Sequence, residues 1–450
     1  MDKNDIIKIF GFSPSLNQLK EINRLSFEIG RREKIEIKHL LNEMAAYFTN
    51  KKISGHGRFI ELRKLLLSRR FPLATKKARL KPAEVFIAPL TSPIQNKYPI
   101  QKSFIPEKIF IENACAKAKL SCKIQNIFPD VPVEFIAHRH EYIKNYHFEL
   151  SGLKRPLLFI VQEKFDHIKP CPCTPKHVRC GYWILNLGFG CPFDCSYCYL
   201  QHYTNFPGII LPANIEDFFA AFDRINATLT TPIRIGTGEF TDSLALDHIT
   251  EYSKKLITYF ADKKVLFELK TKSANIKNIL EINAAANCII AWSLNTEKIC
   301  AQEELGAAAL DERFKAAQKC QNHGYKLAFH FDPIIHSENW QEEYKKTIEK
   351  IYANIKPPFA WISLGTLRSN RELKTACEKR FPQSNIFYGE LLLGDDKKLR
   401  YPQFLREEIY LKMIEMIRAF DQTTPIYLCM ETQEMWKKIS ARYPLTCWSP

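Results

Sequence analysis

The chain has 450 residues, is 46% hydrophobic and carries a formal net charge of +16. Its length favours two or three domains around a large core, and it contains neither an apolar run long enough to span a bilayer nor a signal peptide at residues 1–12. These features argue against a membrane protein and a small secreted one, so we expect a cytoplasmic protein whose 14 cysteines bind metal or stay reduced.

Residues 1–100 are predicted to form a basic helical extension followed by a linker. Apolar side chains recur at helical spacing between residues 14 and 70, whereas residues 72–106 are rich in Pro and Lys and lack periodicity. The stretch from Lys51 to Lys81 contains 11 basic residues and one acid, Glu61. We expect this stretch to bind the phosphates of nucleic acid, and the alternative is a solvated basic face.

Residues 101–180 are predicted to form a small α/β subdomain, and residues 181–450 a barrel with C-terminal elements. In the first segment, 108–111, 131–136 and 156–161 are of strand length and 114–118 looks helical. In the second, predicted strands at 183–187, 232–235, 265–269, 288–293, 326–331, 360–364 and 426–429 alternate with predicted helices at 215–229, 244–260, 312–322, 340–355 and 404–420. This alternation predicts an α/β fold with a partial (β/α)6 TIM-like barrel, whose chemistry lies in the loops after the strands.

A cysteine motif follows the first predicted barrel strand. Cys191, Cys195 and Cys198 have the spacing C-x3-C-x2-C. Thiolates are the ligands of iron–sulfur clusters, which usually need four, so three would leave one iron open to a substrate or cofactor. The alternative is a zinc knuckle, but structural zinc sites favour C-x2-C pairs and four closed ligands. The motif therefore predicts a [4Fe-4S] cluster.

This spacing, with an aromatic residue before the last cysteine, resembles the radical S-adenosylmethionine superfamily. CPFDCSYCYLQ at 191–201 is similar to the cluster loop of the spore photoproduct lyase family, which repairs a thymine dimer in ultraviolet-irradiated spore DNA. The likeness continues at 241–250, 269–280, 291–295 and 313–344, so residues 105–430 or so look family-like. The resemblance implies a carbon–carbon bond lyase that uses S-adenosylmethionine as the source of a 5′-deoxyadenosyl radical. It also implies an electron donor such as a flavodoxin or ferredoxin.

The resemblance extends to individual side chains. Lys272 and Ser293 fall where the family contacts S-adenosylmethionine, and Asn295, two residues on, could also face the cofactor. Tyr197 and Tyr199 match the tyrosines that relay the radical in the lyase, with simple packing beside the cluster as the alternative. We therefore expect three cofactor contacts and two catalytic tyrosines.

One position departs from the family. The lyase uses a cysteine to donate a hydrogen atom to the product radical, and the corresponding residue here is Glu239. A carboxylic acid cannot replace a thiol in this role, because its O–H bond is too strong. The sequence Gly236-Thr-Gly238-Glu239 instead resembles the glycine-rich loop with which superfamily members bind the amino group of the cofactor, and a carboxylate suits an ammonium partner. We expect these residues to bind the cofactor. The resemblance then does not decide whether the chain catalyses the lyase reaction.

A second group of cysteines, Cys171, Cys173 and Cys180, precedes the cluster loop. These residues could ligate a second metal or cluster, supply the missing hydrogen donor, or remain structural thiols, since their spacing is not specific for a metal. Cys429, at the end of the last predicted strand, is another candidate donor.

Three functions are compatible with these features. The first is a radical enzyme that repairs a lesion or modifies a base in nucleic acid, and the second is a radical enzyme that acts on a peptide or small metabolite. The third is a non-catalytic iron–sulfur protein that binds nucleic acid. Glu239, Lys272 and Ser293 argue against this third function, because they fall at positions that bind the cofactor in the superfamily.

Overall fold

The computed structural model describes residues 1–48 and 53–446, which divide into two compact units. The N-terminal unit consists of Met1–Ile94 and Leu367–Glu408, and the barrel unit consists of Gln95–Thr366 and Ile409–Pro450. Residues 367–408 thus pack with the N-terminal helices, although they are far away in the chain. The domain division at residues 100 and 180 stays a prediction.

The N-terminal unit is built of helices around one apolar core. Asp2 and Ser15 cap the N-termini of its first two helices, and their side chains accept hydrogen bonds from backbone N–H groups of the first turn. The helices are Lys3–Phe10, Leu16–Glu33, Ile37–Ala46, His56–Arg70, Pro72–Lys77 and Arg371–Arg380, and the short antiparallel strands are Arg368–Ser369, Leu392–Leu393 and Leu399–Arg400. The prediction that residues 14–70 are largely helical is confirmed among the described residues. The predicted linker is wrong at its start, because Pro72 is tolerated in the first turn of a helix.

A buried ion-pair network lies inside the N-terminal unit. Oε1 of Glu28 accepts hydrogen bonds from Nε of Arg24 and Nζ of Lys374, both at 2.6 Å, and Oε2 accepts one from Nε of Arg70 at 2.5 Å. All four side chains are buried. Burial acts to raise the pKa of Glu28, but the three buried cations hold it below its ordinary value. One carboxylate therefore joins three helices of this unit.

The barrel unit begins with a small parallel sheet. Within the described residues its strand order is Val133–Ile136, Lys108–Glu112, Leu157–Val161 and Ile209–Pro212. The predicted strands of the α/β subdomain are confirmed. The predicted helix at 114–118 is wrong, because a 3-10 turn at Asn113–Cys115 precedes the actual helix at Lys119–Ile127.

The larger sheet of the barrel unit curls into a half-barrel. Its parallel strands are β1 (Tyr182–Leu185), β2 (Ile233–Thr237), β3 (Val265–Thr271), β4 (Cys288–Ser293), β5 (Lys326–Ile334), β6 (Trp361–Thr366) and β7 (Ile426–Leu428). They pair in chain order from β1 to β7, and Ile168–Pro170 adds an antiparallel edge strand beside β1. The partial barrel predicted from the alternation of strands and helices is confirmed.

Helices alternate with these strands along the chain. The helices from Arg139 onward, apart from Arg371–Arg380 of the N-terminal unit, are Arg139–Asn145, Leu200–Tyr203, Ile215–Asn226, Asp247–Thr250, Tyr252–Phe260, Lys277–Leu280, Glu297–Glu303, Leu310–Asn322, Trp340–Asn354, Gln403–Arg418 and Gln433–Ser440. The helix predicted at 244–260 is interrupted at Glu251, whose φ is +51°. None of the helices that the structure describes combines the length and apolar character needed to cross a membrane.

The strands are almost wholly buried, as expected of a parallel sheet covered on both faces. Polar groups on the inner face are paired with one another. Nη2 of Arg234 lies 2.8 Å from Oε2 of Glu268, and Nε2 of His330 lies 2.6 Å from Oε1 of the same carboxylate. The guanidinium carbon of Arg234 also lies 3.9 Å from the centre of the Trp361 ring. These groups fill the interior of the half-barrel.

Candidate functional site

The predicted cluster cysteines lie on one loop between β1 and the helix Leu200–Tyr203. Cys195 is buried, and Cys191 and Cys198 are half-buried. The N–H of Cys198 donates to the carbonyl of Cys195 at 3.1 Å, and Nε2 of Gln201 donates to that carbonyl at 2.9 Å and to Oδ1 of Asp194 at 2.7 Å. The three thiols interact electrostatically with one another. The loop therefore gathers the three thiols into one buried region.

The approach to this loop requires a glycine. Gly190 has a φ of +91°, and a Cβ at this position would lie 2.7 Å from the carbonyl oxygen of Gly208. The N–H of Gly190 also donates to the carbonyl of Phe240 at 2.9 Å. The backbone before Cys191 is thus fixed against two neighbouring segments.

Two lysines lie beside the thiols. Nζ of Lys154 donates to the carbonyls of Cys191 and Phe193, at 2.9 and 2.6 Å, and Lys272 interacts electrostatically with Cys195. Burial raises the pKa of Cys191 to about 12, while the Lys154 charge acts in the opposite direction. Neutral thiols are therefore stable in this setting, and a cation such as iron would be needed to hold them as thiolates.

Within residues 1–48 and 53–446, no group of three or more His, Cys, Asp or Glu side chains is placed to hold one metal ion. Thiolates on a [4Fe-4S] cluster bind different irons and need not converge on one point. The cluster at Cys191, Cys195 and Cys198 stays a prediction, as does a second metal or cluster at Cys171, Cys173 and Cys180.

Glu304 is the centre of a buried network behind the loop. Its side chain accepts hydrogen bonds from the hydroxyl of Tyr197 and, at 2.5 Å, from Nη2 of Arg313, and Nζ of Lys272 lies 3.9 Å away. Burial acts to raise the pKa of Glu304, but the Lys272 and Arg313 charges hold it below its ordinary value. The backbone of Glu304 also pairs with that of Cys195. Sequence reasoning missed this residue, because nothing in the segment around it marks a buried carboxylate.

Tyr199 lies in a different environment from Tyr197. Its hydroxyl donates to the backbone carbonyl of Glu239, and 36% of the residue is exposed, against 8% for Tyr197. Its ring lies 6.2 Å from that of Phe240. Tyr199 therefore faces the glycine-rich loop after β2, whereas Tyr197 faces the Glu304 network.

The glycine-rich loop is shaped by packing. A Cβ on Gly236 would lie 2.4 Å from the carbonyl oxygen of Glu268, and Gly238 has a φ of +97°. Asp242 closes the loop: Oδ1 accepts the hydroxyl of Thr271 at 2.6 Å and Oδ2 accepts the N–H of Lys272 at 2.7 Å. The role of Asp242 was also missed, although it lies in a segment that resembles the family.

Of the other predicted cofactor residues, Lys272 follows β3, and Ser293 and Asn295 lie at and after the end of β4. The carbonyl of Ser293 accepts a hydrogen bond from Nη1 of Arg313 at 2.9 Å. Asn295 is buried: Nδ2 donates to the carbonyl of Pro333 at 2.9 Å, and Oδ1 accepts the hydroxyl of Tyr344 at 2.5 Å. The amide of Asn295 thus has protein partners on both of its polar atoms.

Part of the basic stretch in the N-terminal unit is paired within its own fold. Arg63, Arg69 and Arg70 pair with glutamates at 2.5 to 2.9 Å, and Arg58 donates to two backbone carbonyls. Lys51 and Lys52 lie outside the described residues, and Lys76, Lys77 and Arg79 are exposed. The charge that faces solvent is therefore smaller than the sequence count indicates.

Comparison with known proteins gives consistent matches. A family model described as "Spore photoproduct lyase" matches residues 104–413. The spore photoproduct lyase of Bacillus subtilis (strain 168) is 25% identical over 316 residues, which cover 67% of this chain and 88% of that protein. The lyase of Geobacillus sp. (strain Y412MC61) is 23% identical over 307 residues, which cover 64% and 86%. A solved structure of a spore photoproduct lyase mutant with bound AdoMet and dinucleoside spore photoproduct has a TM-score of 0.63 at 21% identity, and covers 73% of this chain and 99% of that one.

Proposed function

Because the chain belongs to the spore photoproduct lyase family, we propose that it is a radical S-adenosylmethionine enzyme that repairs or modifies a base in DNA. The observation that carries this proposal is the set of three thiols on one loop after β1. A structural relative binds AdoMet and a dinucleoside spore photoproduct, and we propose that this chain takes the same cofactor and a related lesion or base.

The cluster would be held by Cys191, Cys195 and Cys198, with one iron left for the cofactor. When bound, a [4Fe-4S] cluster supplies the electron that splits S-adenosylmethionine into methionine and a 5′-deoxyadenosyl radical. The chain contributes a buried loop that limits the access of water, and two cations, Lys154 and Lys272, that favour thiolates.

The residues around the cofactor would have distinct roles. The carboxylate of Glu239 suits the amino group of the methionine moiety, with Gly236 and Gly238 setting the backbone before it. Lys272 and Ser293 would contact the cofactor from the ends of β3 and β4. Asn295 fits a positioning role better than direct contact, since its amide already binds Pro333 and Tyr344.

The two tyrosines would also differ in role. Tyr199 is the better radical relay, because its hydroxyl lies at the carbonyl of Glu239 and its ring is partly exposed. Tyr197 fits a structural role, because its hydroxyl is held by Glu304 in the buried network.

Two partners are proposed. DNA would approach the open side of the half-barrel, with a smaller contribution from the basic stretch than its sequence suggests. An electron donor such as a flavodoxin or ferredoxin would need to dock near the cluster loop. Lys154, Arg155 and Cys191 line a small cavity of about 50 Å³ beside that loop. Both partners are consistent with a cytoplasmic enzyme.

The test is an anaerobic assay of the whole chain. The protein would be reconstituted with iron and sulfide, reduced with S-adenosylmethionine present, and assayed for 5′-deoxyadenosine with intact DNA, with ultraviolet-irradiated DNA and with none. Cys195→Ala removes a proposed ligand, and Cys122→Ala is the matched control, because Cys122 is an exposed thiol of the same unit.

We expect 5′-deoxyadenosine from the wild type and from Cys122→Ala, none from Cys195→Ala, and a rise with DNA. A rise with irradiated DNA alone would indicate lesion repair, and a rise with both DNAs would indicate base modification. Product that depends on Cys195 but ignores DNA would reject the substrate class and leave a peptide or small metabolite. No product from a sample with an intact cluster would reject the enzyme class.

A further inference from the structure

Aromatic side chains collect between the cluster loop and the glycine-rich loop. Tyr199 and Tyr203 are four residues apart on one helical turn, where the N–H of Tyr203 donates to the carbonyl of Tyr199 at 2.9 Å. Side chains at this spacing are neighbours on a helix surface, and the two ring centres are 6.1 Å apart. The turn therefore places a second tyrosine beside the one whose hydroxyl binds the carbonyl of Glu239.

Phe240 meets both tyrosines from the glycine-rich loop. Its ring centre lies 6.2 Å from that of Tyr199 and 6.0 Å from that of Tyr203, and the planes of the Phe240 and Tyr203 rings differ by only 24°. The carbonyl of Phe240 accepts the N–H of Gly190 at 2.9 Å, which anchors the backbone that carries this ring. We call the two nearly parallel rings of Tyr203 and Phe240 the aromatic shelf.

The Phe240 ring of the shelf is held by protein partners. Nζ of Lys169 lies 4.5 Å from its centre, and the ring of Phe189 lies 5.8 Å away. A cation over a ring is attracted by the π electrons of that ring. The same ammonium lies 2.8 Å from Oδ2 of Asp166, which fixes its position. Phe240 is therefore half-buried in a defined setting rather than loosely exposed.

The Tyr203 ring of the shelf is largely uncovered. Tyr203 is 60% exposed, whereas the stacked rings of Phe110 and Phe159 elsewhere in the barrel unit are buried. Leaving a large ring in water forgoes the stabilisation that its burial would give. Single exposed apolar side chains are common on proteins, but exposed rings grouped beside a site mark a binding surface. The shelf is thus available to a planar group that arrives with the substrate.

We propose that the aromatic shelf stacks with the nucleobase next to the reacting base, in a DNA strand that enters the half-barrel. This inference rests on the proposed function. Stacking on aromatic side chains is how proteins hold unpaired nucleotides, and it suits every base because each has a π face. Because Lys169 beside the shelf is paired with Asp166, the shelf contributes stacking rather than phosphate binding.

The position of the shelf favours a strand over a single small molecule. Tyr203 lies one helical turn beyond Tyr199, so a group stacked on it is displaced from the reacting base by about the length of that turn. A neighbouring nucleotide, which is tethered to the reacting one, can span this displacement. Tyr203 is therefore a positioning residue, which contacts the flanking base and leaves the chemistry to the groups around Glu239.

Variants of Tyr203 test the shelf in the whole reconstituted chain. Tyr203→Leu removes the ring and keeps an apolar side chain, whereas Tyr203→Phe keeps the ring. Phe420→Leu is the matched control, because Phe420 is 48% exposed and its ring stacks on that of Tyr352 at 5.1 Å. Phe420 precedes β7 and Tyr352 precedes β6, so this pair lies toward the end of the sheet opposite the loops that follow the strands.

Two readouts separate binding from chemistry. Fluorescence anisotropy of a labelled single-stranded thymidine oligonucleotide gives its affinity for the chain. The rate of 5′-deoxyadenosine formation at increasing concentrations of irradiated oligonucleotide gives KM and kcat. We expect Tyr203→Leu to bind about fivefold or more weakly and to raise KM by a similar factor, with kcat changed less than about twofold. Tyr203→Phe and Phe420→Leu should stay within about twofold of the wild type.

The outcomes distinguish this inference from the proposed function. Affinity and KM of Tyr203→Leu at wild-type levels, with a wild type that still responds to DNA, would overturn the shelf and leave the proposed function intact. A wild type that neither binds the oligonucleotide nor responds to DNA would overturn both.

A second measurement uses the unaltered chain and does not depend on turnover. Oligonucleotides in which one thymine is replaced by 5-iodouracil would be bound and irradiated with long-wavelength ultraviolet light, since this base forms cross-links with aromatic side chains on which it stacks. Peptide mapping should place a cross-link at Tyr203 and none at Phe420. Cross-links that form only outside the aromatic shelf, wherever the 5-iodouracil stands in the oligonucleotide, would overturn the assignment.

Discussion

Replacing Glu304 with glutamine tests the network that supports the cluster loop. The substitution keeps the shape of the side chain but removes the charge that compensates Arg313, whose side chain is 0% exposed, and Lys272, whose side chain is 15% exposed. Removing one partner of a buried ion pair costs about 3–5 kcal/mol, because the remaining charge is left without compensation. Typical domains are stable by about 5–15 kcal/mol, so this loss is a large fraction of the free energy of unfolding.

The assay is urea unfolding of the metal-free protein, with tryptophan fluorescence as the signal that monitors the transition. All six tryptophans lie outside residues 1–94 and 367–408, so the signal reports the barrel unit. Glu297→Gln is the matched control, because its side chain is 76% exposed and pairs with Lys350 at 3.2 Å, a contact worth about 0–1 kcal/mol. If Glu304→Gln lowered the free energy of unfolding no more than the control does, the reasoning about this buried carboxylate would be refuted.

Three further predictions address other parts of the chain. Folding lowers the pKa of Glu28, so the ionised side chain stabilises the folded state at pH values above its unfolded-state pKa of about 4.3. This stabilisation is lost progressively as the pH falls below that value. Thermal melts of Glu28→Gln should therefore differ from the wild type at pH 7 and converge toward it below about pH 4. Tyr199→Phe should reduce product formation with little change in stability. Tyr197→Phe should lower the free energy of unfolding by about 1–3 kcal/mol, because it leaves Oε1 of the buried Glu304 carboxylate without its hydroxyl donor. Urea titrations and product assays distinguish the two variants, and equal effects would contradict the division of roles. Lys154→Met should lose iron to a chelator several-fold faster, since two carbonyls of the cluster loop lose their donor; an unchanged rate of iron release would show that Lys154 does not hold the loop.

The fold was predictable where hydrophobic patterning is strong. The parallel strands of the half-barrel are mostly apolar and almost wholly buried, and each overlaps its predicted range although Arg234, Glu268 and His330 interrupt the apolar pattern. The edge strand Ile168–Pro170 and the short strands at 368–400 were not predictable, because two or three residues carry no periodicity. The packing of residues 367–408 with the first helices depends on contacts such as that between Lys374 and Glu28, which local sequence does not encode.

The candidate site was also predictable only in part from the sequence. The cysteine spacing alone located the three thiols, since a short loop constrains its own side chains. Glu304 and Lys154 were missed because they reach the loop from segments 109 and 37 residues away from Cys195 and Cys191, respectively. The pairing of Arg63 and Arg69 with glutamates was not predictable, because a charge count does not show which charges meet in the fold.

The open sheet of the half-barrel changes how its two edges are held. In a closed barrel, every strand has a neighbour on both sides. Here the sheet ends at the edge strand Ile168–Pro170 and at β7, and residues 171–180 connect the two ends. The N–H of Val178 donates to the carbonyl of Glu431 at 2.9 Å, and His177 and Thr432 form a β-bridge. The segment before β1 therefore joins two edges that a closed barrel would pair directly.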